Sequence, residues 1–297
     1  MRRTALLALK LAISVTILVV IGSRIPIEDV LRRARDGAPL YLLAALLLIL
    51  LGVVLVALRW RLLAGSLGLA IPMALAVRAL FLGFLGGQVL PSAVGSDIVR
   101  GWLLARHSTG LRRIVQSLVA DRLVGLFGVC LLLLLCNPVV RQLPAPYASL
   151  FAPAAVLASG ALLAAFLLAC AGKLKLGAQQ SHLASRIPLR AAPLLAAVLI
   201  ALVVHALTVV VAVLAAKAYG IDASVRVWFS IIPLSVIAAA VPISISGWGV
   251  REAAIVLLAA PLGIPGTQAL LVSLTLGVLN AIASLPGAAV LLQGRRG

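Results

Sequence analysis

Acidic residues are scarce in this chain of 297 residues, seven in all against 25 lysines and arginines, so their positions are informative. Three of them, Asp97, Asp121 and Glu252, sit in or beside long apolar runs, each with an arginine close by: Arg100, Arg122 and Arg251. An ionisable side chain inside a membrane costs about 2.5–3.5 kcal/mol on insertion scales, so it faces a bundle interior or a watery cavity and takes a partner. Asp97 and Arg100, three residues apart, share one helix face. Ser96 or Asp97 could cap the helix that follows, whose free N–H groups would meet an anion. Asp121 and Arg122 are adjacent and point about 100° apart on a helix, so each should pair with another element, Asp121 with Arg100 or Arg251. In Gly247-Trp248-Gly249-Val250-Arg251-Glu252 the glycines permit tight backbone and the glutamate suits a helix N-terminus. The arginine opposes the helix dipole there, which points to another task for Arg251, such as meeting a phosphate.

Structural roles compete with each of these readings. Asp97 could serve only in a cap and a surface ion pair, Asp121 in a buried salt bridge, and Trp248 with Arg251 as a headgroup-level anchor. Arg59-Trp60-Arg61 reads as a cytoplasmic anchor, His205 as a packed, hydrogen-bonded residue, and Asn280 as an interhelical hydrogen bond. Cys130, Cys136 and Cys170 lie at or within apolar runs without Cys-x-x-Cys spacing and read as packing residues. His107, His182 and His205 are scattered. No metal-ligand set, cofactor motif or nucleophile–base pair is visible, so an enzyme is not the expectation.

The elements that must position these side chains are membrane helices. Of the residues, 64% are hydrophobic and 11% charged, and mean hydropathy is +1.23. The formal charge of +18 belongs to short loops at helix ends, which suits membrane orientation and anionic headgroups better than nucleic acid. Apolar runs long enough to span fall near 4–22, 40–58, 113–136, 151–171, 192–216 and 267–292. The first follows Met1-Arg2-Arg3 without a clear cleavage site and is expected to be retained. Residues 72–106 and 228–262 instead carry breaks, at Pro91 and Gly95 and at Pro242, Gly247 and Gly249. Each leg is short for a full span, so both segments read as re-entrant helical hairpins. The expectation is an all-α polytopic membrane protein, a single domain over 1–297 with six to eight transmembrane helices, the higher number applying if hairpin legs cross fully.

Arg59, Arg61, Arg106, Arg112, Arg113, Lys173, Lys175, Arg186, Arg190, Arg295 and Arg296 place their loops and both termini in the cytoplasm by the positive-inside rule. The loop 24–37, with Arg24, Arg32, Arg33 and Arg35, goes against it. Halves 1–145 and 146–297 then read as an inverted repeat, echoed by Val99-Arg100 and Val250-Arg251 following Pro91 and Pro242 at one offset. Opposed repeats with broken helices are a transporter signature, with the site where the breaks meet.

Four motifs also occur in a recognisable order: Leu58-Arg59-Trp60-Arg61-Leu62-Leu63, Leu90-Pro91-x3-Gly95-x-Asp97-x2-Arg100, Asp121-Arg122-x2-Gly125, and Pro242-x4-Gly247-x-Gly249-Val250-Arg251-Glu252. Together they resemble the lysylphosphatidylglycerol synthase transmembrane-region, or flippase-like, family over nearly the whole chain. Some members of that family carry a soluble aminoacyltransferase domain, which this sequence of 297 residues is expected to lack. The resemblance therefore implies translocation of an anionic phospholipid, or of a lipid-linked sugar or amino-acid headgroup, in a bacterial inner membrane. Ser96 stands where the family often has a second glycine, and Gln88 where asparagine is common. The expected substrate-binding residues are Arg100 and Arg251, oriented by Asp97, Asp121, Arg122 and Glu252. The partner is a membrane lipid, with a separate lipid or glycolipid biosynthetic enzyme as a further candidate. A membrane-embedded lipid-modifying enzyme and a non-transporting regulator of a lipid synthase are the rival readings.

Overall fold

The computed structural model of the chain describes residues 2–89, 95–106, 110–136, 191–240, 244 and 247–293. The expected helix 151–171, the breaks at Pro91 and Pro242, Cys170, His107, His182, the boundary between halves at 145 and the basic residues of 172–190 and 295–296 lie outside them. Among the described residues the chain is all helical. The chain begins with α1 (Arg2–Arg24), α2 (Ile27–Arg35), α3 (Pro39–Ser66), α4 (Met73–Val89), α5 (Gly95–Ala105) and α6 (Leu111–Leu135). It continues with α7 (Ala191–Ala218), α8 (Val225–Ala240), α9 (Val250–Ala259), α10 (Gly266–Ser284) and α11 (Pro286–Gln293).

Apolar run length decides which of these cross. Among the described residues, four segments are long and apolar enough to span: α3, α6, α7, and the rod formed by α10 and α11 over Gly266–Leu292. At 1.5 Å per residue, the 28 residues of α3 or α7 reach about 42 Å, more than a hydrocarbon core of about 30 Å. The expected span at 267–292 is interrupted at Leu285, because Pro286 brings no N–H to continue the helical ladder. The two broken segments are helical hairpins as the sequence suggested, α4 with α5 and α8 with α9. Each contains one leg of 16 or 17 residues and one of 10 or 11, too short to span alone.

The loop expected at 24–37 contains a helix instead. Ile27, Val30 and Leu31 recur at helical spacing among charged residues, and α2 buries Val30 with Ile25 against Leu270 and Leu271 of α10. Its other faces, including the Asp29–Arg32 ion pair at 2.7 Å, are exposed.

Helices α3 and α7 share the most extensive contact and form the spine, with α6, α8 and α10 packed around them. Their outer stripes are bare and apolar, Leu40, Leu43, Leu47 and Leu51 on α3 and Leu195, Leu199 and Val203 on α7, as a lipid-facing surface requires. The inner seams use small residues to bring helices close. Gly128 of α6 lies so near α7 that an added Cβ would sit 2.6 Å from the Ala201 Cβ and 3.2 Å from its carbonyl carbon. Gly128→Ala is therefore expected to lower stability by about 1–3 kcal/mol in thermal unfolding of the detergent-solubilised protein. Gly52→Ala, where no atom lies within 4 Å, should change it little.

Candidate functional site

The buried charges fall into two clusters, one on each hairpin. In the first, five ionisable side chains form an alternating chain. Arg59 of α3 donates from Nε to Asp121 Oδ1 at 2.8 Å, and Arg100 of α5 donates from Nη1 to Asp121 Oδ2 at 3.0 Å. Arg100 Nη2 donates to Asp97 Oδ1 at 2.5 Å, and Arg122 Nε lies 3.2 Å from Asp97 Oδ2. Each aspartate thus spends one oxygen on each of two arginines. Arg59, Arg100 and Asp121 are buried, so each charge depends on the others in place of water.

Local sequence explains the placement. Gly83 of α4 leaves the space into which α5 settles, since a Cβ there would meet Arg100 Cγ at 2.7 Å and the Ser96 carbonyl at 2.9 Å. Trp60 supplies a wall: its ring lies 5.0 Å from the Arg100 guanidinium, and its Nε1–H donates to Ser117 Oγ at 3.2 Å. Asp121 and Arg122, pointing apart on α6, do pair with different elements. Asp121 meets Arg59 and Arg100 and not Arg251. Ser96 and Asp97 sit within the first turn of α5, which opens at Gly95, so neither occupies a cap position ahead of the helix.

Arg59 is the residue the sequence reading missed. Taken for a cytoplasmic anchor, it is buried and ion-paired, because α3 runs on to Ser66 and carries Arg59 into the bundle. The signal was present in Arg59-Trp60-Arg61, since residues two apart leave a helix on different faces. Arg61, on a different face, donates from Nε to the Ile71 carbonyl at 3.1 Å.

The second cluster is built on the turn before α9. Gly247 and Gly249 have φ of +77° and +83°, values that favour glycine, and they bring the chain sharply into the helix. Glu252, fully buried, accepts the Gly249 N–H on Oε2 at 2.6 Å. Its Oε1 accepts Arg251 Nε at 3.0 Å, Arg251 Nη2 at 2.5 Å and Ser273 Oγ at 3.2 Å. The glutamate thereby neutralises the arginine that the helix dipole disfavours. The Arg251 guanidinium also lies 5.0 Å from the Trp248 ring, and Gly277 of α10 makes room for both side chains.

Between the clusters lies a cavity of about 440 Å³, lined by α3, α7, α8 and α10 and by residues of both hairpins. Of the polar lining, the first hairpin contributes Gln88 and Ser96 and the second Arg251 and Ser235. The α3 lining falls within 48–56, the middle of that 28-residue helix, and the α7 lining within 204–211, from the middle of α7 towards its C-terminal end. The cavity's other polar lining is Thr208 and Asn280. The Thr208 and Ser235 hydroxyls donate to carbonyls of their own helices, at 3.0 and 2.8 Å, leaving oxygen lone pairs as acceptors. Asn280, expected to bond between helices, donates instead to Leu276 of its own helix at 2.7 Å. Arg251 Nη1 makes no hydrogen bond among the described residues. One cation, amides and acceptor oxygens in an otherwise apolar chamber can hold a small anionic group beside a hydrogen-bond donor.

Arg100 is bound at both ends of its guanidinium and lines none of the cavities described, so it positions the first hairpin instead of facing the chamber. His205 is packed as expected, with Nε2 2.9 Å from the Gly125 carbonyl. Cys130 is buried and Cys136 partly so, as packing residues would be.

A comparison with curated proteins finds none that matches the chain. The family model for the lysylphosphatidylglycerol synthase TM region matches residues 7–287, nearly the entire length and every element that builds the two clusters and the cavity. The chain is a multi-pass membrane protein and belongs to the lysylphosphatidylglycerol synthase transmembrane-region family.

Proposed function

We propose that the protein moves a lipid headgroup between leaflets of a bacterial inner membrane, with both termini cytoplasmic, and makes or breaks no bond. The observation that carries this is the cavity among the spanning helices to which both hairpins contribute, with Arg251 as its cation. A phosphate carried through hydrocarbon without partners meets a large desolvation cost, whereas acyl chains do not. In the cavity the phosphate meets Arg251, while Gln88, Ser96, Thr208, Ser235 and Asn280 receive the hydroxyls or ammonium of a sugar-linked or aminoacyl headgroup. The acyl chains stay in lipid. Asp97, Arg100, Asp121, Arg122 and Glu252 act by holding the hairpins and Arg251 in place.

The test is scrambling of anionic and sugar-linked lipids in liposomes containing the purified protein. Wild type is expected to exceed empty vesicles, and Arg251→Gln to slow movement at least tenfold. Equal rates in empty vesicles under every ion gradient tried would overturn translocation. Recovery of a chemically altered lipid would replace it with lipid modification.

A further inference from the structure

Gly52 stands in the middle of α3, where neither the backbone nor the packing asks for a glycine. The helix runs unbroken through it from Pro39 to Ser66, and it is not among the glycines with positive φ. No neighbour presses on it either, since a Cβ added there would find no packed atom within 4 Å. Gly83, Gly128 and Gly277 differ: their added Cβ atoms would lie 2.7, 2.6 and 2.6 Å from Arg100 Cγ, Ala201 Cβ and Arg251 Nη2. Glycine inside a helix is less stable than alanine. What Gly52 supplies in return is room.

That room opens on the central cavity. Leu48, Gly52 and Val56 recur every four residues on one face of α3, and all three line it. Gly52 therefore leaves a recess in the wall between two branched side chains. The cavity, about 440 Å³, falls within the range of about 300–1,000 Å³ in which small-molecule sites are built. A phosphate on Arg251 leaves most of it to whatever the phosphate carries.

The charge of that remainder follows from the seven acids of the chain. None lines the cavity. Asp97 and Asp121 are paired with arginines of the first cluster. Glu28, Asp29 and Asp36 lie in or beside α2, and Asp222 lies between α7 and α8. Glu252 is fully buried beneath Arg251, holding the Gly249 N–H, the guanidinium and the Ser273 hydroxyl. No carboxylate of this chain is left to meet an ammonium in the cavity, whose neutral polar lining is amides and hydroxyls.

We propose that the central cavity selects a phosphate bearing a ring-sized, uncharged head, a sugar or cyclic polyol, and that Gly52 is the residue that sets this size. Ring hydroxyls both donate and accept, which suits Gln88, Asn280, Thr208 and Ser235. A cationic aminoacyl head is rejected, because with Arg251 on the phosphate its ammonium would exchange water for neutral oxygens alone. The inference rests on the translocation reading for its cargo and narrows it, but selective binding does not require movement.

Native mass spectrometry of the detergent-solubilised protein, titrated with phosphatidylinositol, phosphatidylglycerol and lysylphosphatidylglycerol, reads binding. Scrambling of the same three lipids in liposomes reads movement. Wild type should bind phosphatidylinositol at least tenfold more tightly than the lysyl lipid. Gly52→Leu, whose side chain enters the recess, should weaken phosphatidylinositol at least tenfold and the smaller phosphatidylglycerol less than threefold. Gly52→Ala should give a smaller loss in the same order while unfolding thermally as wild type does. Gln88→Glu, which adds a carboxylate to the lining, should reduce discrimination against the lysyl lipid at least threefold. Equal wild-type binding of phosphatidylinositol and the lysyl lipid would overturn the proposal. So would an equal loss of phosphatidylinositol and phosphatidylglycerol in Gly52→Leu, or no loss of either. If wild type moves none of the three lipids yet binds phosphatidylinositol with this dependence on Gly52, translocation fails and selection stands. If all three move alike in wild type and in Gly52→Leu, selection fails and translocation stands.

Discussion

Replacing Asp121 with alanine should destabilise the protein by about 3–5 kcal/mol, the range for breaking a buried ion pair by removing one partner. Both Asp121 oxygens are engaged, by Arg59 at 2.8 Å and Arg100 at 3.0 Å, and all three residues are buried. Without the carboxylate, Arg59 loses its ion-pair partner and Arg100 keeps only Asp97. The loss comes from uncompensated burial of charge more than from the missing hydrogen bonds. Removing the charges together should therefore do less harm than removing one. Arg59→Met combined with Asp121→Leu is expected to be milder than Asp121→Ala alone, and a double-mutant cycle on Arg59 and Asp121 should give a coupling above 1 kcal/mol. Thermal unfolding in detergent reads these differences. A loss below 1 kcal/mol in Asp121→Ala would mean that water reaches the cluster.

Glu252 should be nearly as costly to remove, with a different consequence. It receives a backbone N–H, two N–H groups of one guanidinium and a hydroxyl while fully buried. Glu252→Ala is expected to cost about 3–5 kcal/mol. Ser273→Ala, which removes one donor and leaves the charge pairing intact, should cost about 0.5–1.5 kcal/mol. The local readout is hydrogen exchange: amides of 249–253 at the start of α9 should lose protection in Glu252→Ala and keep it in Ser273→Ala. Glu252→Gln separates shape from charge, since the amide oxygen can still accept the Gly249 N–H but no longer neutralises Arg251. Wild-type stability in Glu252→Gln would show that shape alone suffices.

The fold class and both hairpins were legible because they rest on run length and on Pro and Gly, whose effects are local. The legs Met73–Val89 with Gly95–Ala105 fall on either side of position 91, with helix continuing through the glycines at 86 and 87, and Val225–Ala240 with Val250–Ala259 fall on either side of 242–249. The divergence of Asp121 and Arg122 was legible for the same reason, because helix geometry separates neighbours. Arg251 and Glu252 are also neighbours and yet pair. At a helix start, Glu252 turns back toward the Gly249 N–H, which brings its carboxylate within reach of Arg251. Arg59 was not legible, because an arginine near the end of an apolar run looks the same whether it reaches for headgroups or is drawn inward. What decides is an aspartate on α6, 62 positions away. The short α2 escaped because nine residues give a weak periodic signal, and its burial depends on α10.

That dependence bears on how the chain is made. Val30 and Ile25 rest on Leu270 and Leu271, so the packing of α2 is incomplete until the last long helix has left the ribosome. The four arginines at 24–35 are therefore exposed to the insertion machinery as an unsettled segment for most of synthesis. A chain terminated before the last long helix would present α2 to chaperones and proteases with its apolar face only partly covered.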